Sequence, residues 1–124
     1  MAAPNIVNVS TITAKTAYLT PGTTGATILI ANAASSGKVF KINMVVAANI
    51  NSSATINATV AINSNASASG TSYPLSSTVS VPSSSSLIVS DKGTAFYLEE
   101  DRALVVTSSN ASNMTFTTSY EEIS

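Results

Sequence analysis

The sequence predicts an all-β chain: an antiparallel β-sandwich of about eight short strands, in jelly-roll or immunoglobulin-like topology. Three observations predict it. Apolar residues recur with a period of two in one segment after another. Clusters of Gly, Pro, Ser and Asn punctuate those segments roughly every dozen residues. No window carries an amphipathic helical repeat with capping residues at its ends.

The elements follow in chain order. Residues 5–13, rich in Ile, Val and Thr, read as an extended N-terminal arm or first strand over 1–13, ahead of a single sandwich domain over 14–124. Residues 26–31 (ATILIA) form a short apolar run. Over 38–49 the alternation sets Phe40, Ile42, Met44 and Val46 on one face and Val39, Lys41, Asn43 and Val45 on the other. The clearest strand is 54–63, where Ala54, Ile56, Ala58, Val60 and Ile62 share a dry face. Pro74 interrupts 73–81, which places that strand at a sheet edge or a bulge. Shorter strands are expected at 86–90, 95–98 and 103–108. Over 113–120, Met114, Phe116, Thr118 and Tyr120 line one face. Turns are expected at 21–25, 34–37, 64–72, 82–85, 91–93 and 108–110, with 64–72 as a hairpin tip.

With 124 residues and 12.6 kDa, the chain has room for one domain with a modest core. It contains no Cys, His or Trp, which excludes Cys–His nucleophiles, Ser–His–Asp triads, Cys/His zinc sites and disulfide scaffolds. Charged residues make up 9%, against a norm of about 25%. A net charge of -1 offers no electrostatic footprint for nucleic acid. Ser, Thr and Asn account for 49 of the 124 residues. Such a neutral polar surface keeps copies apart poorly and suits a protein packed against itself or its partners. Apolar runs such as 44–48 fall far short of a membrane span, and MAAPNIVNVS has neither a basic nor an apolar leader region. Synthesis in a cytosol is therefore expected, and a chain acting outside the cell would leave by another route, such as lysis.

Charge is unevenly distributed. Lys15, Lys38 and Lys41 stand without an acid in residues 1–90, while 91–124 hold Asp91, Glu99, Glu100, Asp101, Glu121 and Glu122 against Lys92 and Arg102. This pattern reads as a solvated acidic loop and tail, or as head-to-tail complementarity between copies.

No catalytic constellation emerges. Glu99 and Glu100 are adjacent, so on a strand they point to opposite faces, and 99–102 reads as a turn. The acid spacing does not match an EF-hand, and the glycines form no phosphate loop. No cofactor or metal is expected. Six Asn-x-Ser/Thr patterns, at Asn8, Asn51, Asn57, Asn65, Asn110 and Asn113, follow from composition. Phe40, Phe96 and Phe116 lie on apolar patterns and read as core, whereas Tyr73 and Tyr97 are candidate glycan contacts.

Four stretches occur in a distinctive order: Pro4-Asn5-Ile6-Val7-Asn8-Val9; Ser35-Ser36-Gly37-Lys38-Val39-Phe40-Lys41-Ile42-Asn43; Phe96-Tyr97-Leu98-Glu99-Glu100 followed by Leu104-Val105-Val106; and Ser119-Tyr120-Glu121-Glu122-Ile123-Ser124. This order, spanning most of the chain, resembles small virion structural proteins of tailed bacteriophages of marine bacteria, including cyanophages. Where relatives carry Gly-Asp after the Tyr-Leu-Glu-Glu-like stretch, this chain has Glu100-Asp101-Arg102. The resemblance implies a β-sandwich built into a particle and carries no catalytic residues.

The expectation is a non-enzymatic virion protein, foremost a capsid decoration (cement) protein spanning capsomer boundaries. Its partners would be copies of itself, a trimer being one arrangement, and the major capsid protein or other virion proteins; nucleic acid and membrane are not expected partners. Intersubunit contacts are expected at Ile6, Val7, Val9 and Ile12 in the arm and at Tyr120 and Ile123 in the tail, because unpaired extended segments add to a neighbour's sheet. The alternatives are a neck, tail or fibre-attachment protein, and a carbohydrate-binding module using Tyr73 and Tyr97.

Overall fold

The computed structural model describes residues 9–124. Among them are nine strands: β1 (Ile12–Leu19), β2 (Thr27–Asn32), β3 (Val39–Asn49), β4 (Ile56–Asn63), β5 (Ser72–Val81), β6 (Ser86–Ser90), β7 (Phe96–Leu98), β8 (Arg102–Ser108) and β9 (Met114–Ile123). A 3-10 turn at Lys92–Thr94 lies between β6 and β7, and the described residues contain no α-helix.

The strands form two antiparallel sheets, β1-β9-β3-β6 with β7 also on β3, and β2-β8-β4-β5. The chain is one long hairpin rolled into two layers. β1 pairs with β9, β2 with β8, β3 with β6 and β7, and β4 with β5. That connectivity is a jelly roll, which decides between the two topologies left open by the period-two pattern. β6 and β7 together occupy one strand position, since both lie along the same side of β3, at Val45–Ala48 and at Phe40–Ile42. The turn between them is capped at Asp91, whose Oδ1 accepts from the Gly93 amide at 2.9 Å.

Both inner faces supply the core. Phe116, Ile42, Ile56, Leu98, Leu104 and Met114 are fully buried between the sheets. Each such side chain contributes on the order of 1.5–3 kcal/mol by leaving water. The Phe40 and Tyr120 rings pack with centroids 5.2 Å apart, joining β3 to β9 at one end of the sandwich.

The structure corrects the sequence reading at three places. The first described strand runs over Ile12–Leu19, so a boundary after residue 13 falls inside it; residues 1–8 of the expected arm lie outside the described residues. In β3 a bulge between Ile42 and Met44 reverses the phase. Phe40 and Ile42 point inward as expected, but Val45 and Ala47 then take the core and leave Met44 and Val46 on the outer face. The C-terminal tail is not an unpaired segment: β9 continues to Ile123 as a central strand, with β1 on one side and β3 on the other.

Candidate interaction surface

Outward-facing residues of the first sheet line up in rows across its strands. Tyr18, Thr117, Val46 and Ile88 form one row, followed by Thr16, Ser119 and Met44, and then by Ala14, Glu121, Lys41 and Tyr97. Cross-strand neighbours on one face stand about 5 Å apart, so each row is a continuous strip. Tyr18 is 70% exposed, Ile88 65% and Tyr97 46%. A charge-poor face of Thr, Ser, Ala and apolar side chains is thus open to a partner. Its two charges, Lys41 and Glu121, sit opposite one another, and Asn43 Nδ2 donates to Glu121 Oε2 at 3.1 Å.

Glu122 gathers the charges at the end of the sandwich. Lys38 Nζ donates to its Oε1 at 2.8 Å and Lys15 Nζ to its Oε2 at 3.0 Å. The hydrogen bond from Lys38, helped by that from Lys15 and by both positive charges, holds the Glu122 carboxyl below its ordinary range despite some desolvation. The hydrogen bond to Glu122 likewise raises Lys15. The basic N-terminal stretch and the acidic tail therefore meet within one chain at these residues.

Asp101, like Asp91, braces a turn. Asp101 Oδ1 accepts from the Ala66 amide at 3.1 Å, tying the β4–β5 loop to the β7–β8 turn. Arg102 Nη1 donates to the Asp101 carbonyl at 2.9 Å. Glu100 holds both carboxylate oxygens out of solvent without a hydrogen-bond partner among the described residues. No group of three or more acids assembles into a cation cage among those residues, and they enclose no pocket.

The expected contact residues separate into distinct environments. Ile6 and Val7 lie outside the described residues. Val9 is half-buried, and Ile12 is exposed at the start of β1. Tyr120 and Ile123 are buried within this chain, so their side chains are committed to its own packing. Tyr73 and Tyr97 are both exposed but lie on different sheets: Tyr97 opposite Lys41 on the first, Tyr73 opposite Ile62 on the second. Sequence reasoning passed over Tyr18, Met44, Val46 and Ile88. No local pattern signalled Tyr18, because the Ala and Thr residues around it suit either face; Met44 and Val46 depended on a bulge that no pattern announces. Comparison of the sequence with protein-family models and with curated proteins finds no match.

Proposed function

We propose that this chain is a non-enzymatic structural subunit of a bacteriophage virion, acting as a capsid decoration protein that bridges capsomer boundaries. The observation that carries the reading is the outer face of the first sheet. It is broad and charge-poor, with Tyr18, Ile88 and Tyr97 exposed across it. Scattered apolar side chains are ordinary on a monomer, whereas a broad sheet face with so little charge to hold neighbours off suits a lasting contact. The ordered sequence motifs and the jelly roll support the same reading. Viral capsid domains use this architecture, as do lectins, so the fold enters by analogy. Bound along boundaries as an oligomer, such a subunit would add contact area across them and oppose their separation, with avidity supplied by several modest contacts.

Quantitative mass spectrometry of purified source particles tests the proposal. A copy number comparable with that of the major capsid protein is expected. A handful to some dozens of copies per particle would instead assign it to the neck, tail or fibre attachment, and its absence would overturn the virion reading. Exposure of Tyr73 at 62% favours a second reading, a glycan-binding module. Its test is a glycan array in which any binding is lost in Tyr73→Ala or Tyr97→Ala.

A further inference from the structure

The edges of the two sheets are not equivalent. β5 is blunted by Pro74, by two register slips against β4, and by Thr78, a β-branched residue at φ 52°. β2 is six residues long and bulged between Ile28 and Ile30. The β6/β7 edge is broken by the turn at Lys92–Thr94. Only β1 lacks these devices. Its eight residues pair with β9 in unbroken register from Ile12↔Ile123 to Leu19↔Phe116, with no Pro or Gly.

The free hydrogen-bonding groups of β1 can be assigned. Thr11 and Ser124 exchange both backbone bonds, each at 3.0 Å. Antiparallel ladders alternate bonded and non-bonded pairs. Thr13, Lys15, Ala17 and Leu19 therefore bond to β9, while Ile12, Ala14, Thr16 and Tyr18 turn their N–H and C=O groups outward. Among the described residues no strand pairs with that edge.

We propose that β1 is a self-association edge, where two copies add β1 to β1 in antiparallel fashion about a two-fold axis at Thr16. Each copy contributes four strand positions, with β6 and β7 sharing one, so the pair forms one continuous sheet eight positions wide. The edge is self-complementary: about a two-fold axis the outward N–H and C=O groups of Ala14, Thr16 and Tyr18 meet those of Tyr18, Thr16 and Ala14 in a second copy, and charge does not oppose it. The single charged residue of β1, Lys15, is already bonded to Glu122, and a net charge of -1 opposes approach little. Charge also decides between the two registers centred on the strand, at Lys15 and at Thr16. An axis at Lys15 would set two ammonium groups directly opposite, whereas one at Thr16 places Lys15 opposite Ala17 and Ala14 opposite Tyr18. The inference does not rest on the virion reading: particle mass spectrometry tests that one, and sedimentation of the pure chain tests this one.

An edge contact this narrow buries under about 1,200 Å², so association in the micromolar range is expected. Sedimentation velocity of the full chain at about 10–100 μM should show a dimer building with concentration. Thr16→Pro removes an N–H that faces away from β9, at an edge position where a strand tolerates the fixed φ of proline. It should keep the far-UV circular dichroism of the parent and sediment as a monomer. Should that variant fail to fold, Thr16→Lys at the same exposed position should also give a folded monomer. The chain has no cysteine, so Thr16→Cys offers a crosslink without background. Bonded pairs stand about 5.5 Å apart between Cα atoms, within disulfide reach. Thr16→Cys should oxidise to a dimer while Ser77→Cys on β5 does not. A monomeric parent at 100 μM, a dimer unchanged by Thr16→Pro or Thr16→Lys, equal crosslinking at Ser77, or association only with added capsid protein would each overturn self-pairing.

Discussion

Glu122 is the residue on which most of the paired charge converges. Its carboxyl accepts from Lys38 and Lys15, which lowers its pKa below the ordinary glutamate value. The folded state therefore binds that proton less tightly than the unfolded chain. The contribution to stability is fully present above the ordinary value and is lost as pH falls through it toward the folded one. We expect Glu122→Gln to melt below the parent at neutral pH and the gap to close in acid. Melting curves across that pH range check this; a gap independent of pH would refute it. Composition announced an acidic tail, but which acid finds which lysine depends on β9 lying between β1 and β3.

Three strands end on a buried asparagine: β2 on Asn32, β3 on Asn49 and β4 on Asn63. Each ties its strand end to neighbouring backbone. Asn32 Nδ2 donates to the Lys38 and Leu98 carbonyls at 2.9 and 3.1 Å. Asn63 Oδ1 accepts from the Asn65 and Gly70 amides, closing the β4–β5 hairpin loop. Asn49 Nδ2 donates to the Ala54 and Val81 carbonyls, both at 2.9 Å, and its Oδ1 accepts from the Asn51 amide. Removing it leaves those backbone groups unmatched. Asn49→Ala should therefore cost about 1–3 kcal/mol, read as a shift in the urea midpoint. A loss no larger than that of an exposed control such as Asn110→Ala would count against the role. The abundance of Asn suggested surface and turns. Its use as an interior tie was illegible because a side chain with both donors and an acceptor becomes a tie only when foreign carbonyls are brought to it. Asn51 and Asn65 do behave as turn formers, with Oδ1 accepting from the amides of Ser53 and Ser67.

At the scale of the molecule, the two halves of the long hairpin depend on each other. β9 is central in the first sheet, and Tyr120, Glu122 and Ile123 hold Phe40, the lysine pair and the end of β1. Deleting residues 120–124 should therefore lower the melting temperature of the whole domain in one cooperative step, rather than trim a dispensable arm. Differential scanning calorimetry checks this; an unchanged transition would show that the end of β9 carries little of the stability. The same layout leaves β1 as the unblunted edge and Tyr18, Ile88 and Tyr97 on one open face.

By itself the sequence determined the all-β class, eight of the nine strands at nearly their observed positions, the core face of β9 and the edge character of β5. These are local properties: strand alternation, turn chemistry and the missing N–H of proline act within a few residues. Tertiary structure alone decided the jelly-roll topology, the β3 bulge that turns Met44 and Val46 outward, the buried asparagines and the pairing of Glu122 with Lys15 and Lys38. β1 belongs with these. Its residues, ITAKTAYL, alternate too weakly to declare a strand, because Ala and Thr are at home on either face. Its place is set by β9, whose position in the chain lies about a hundred residues away, and a period-two pattern carries no record of such a partner.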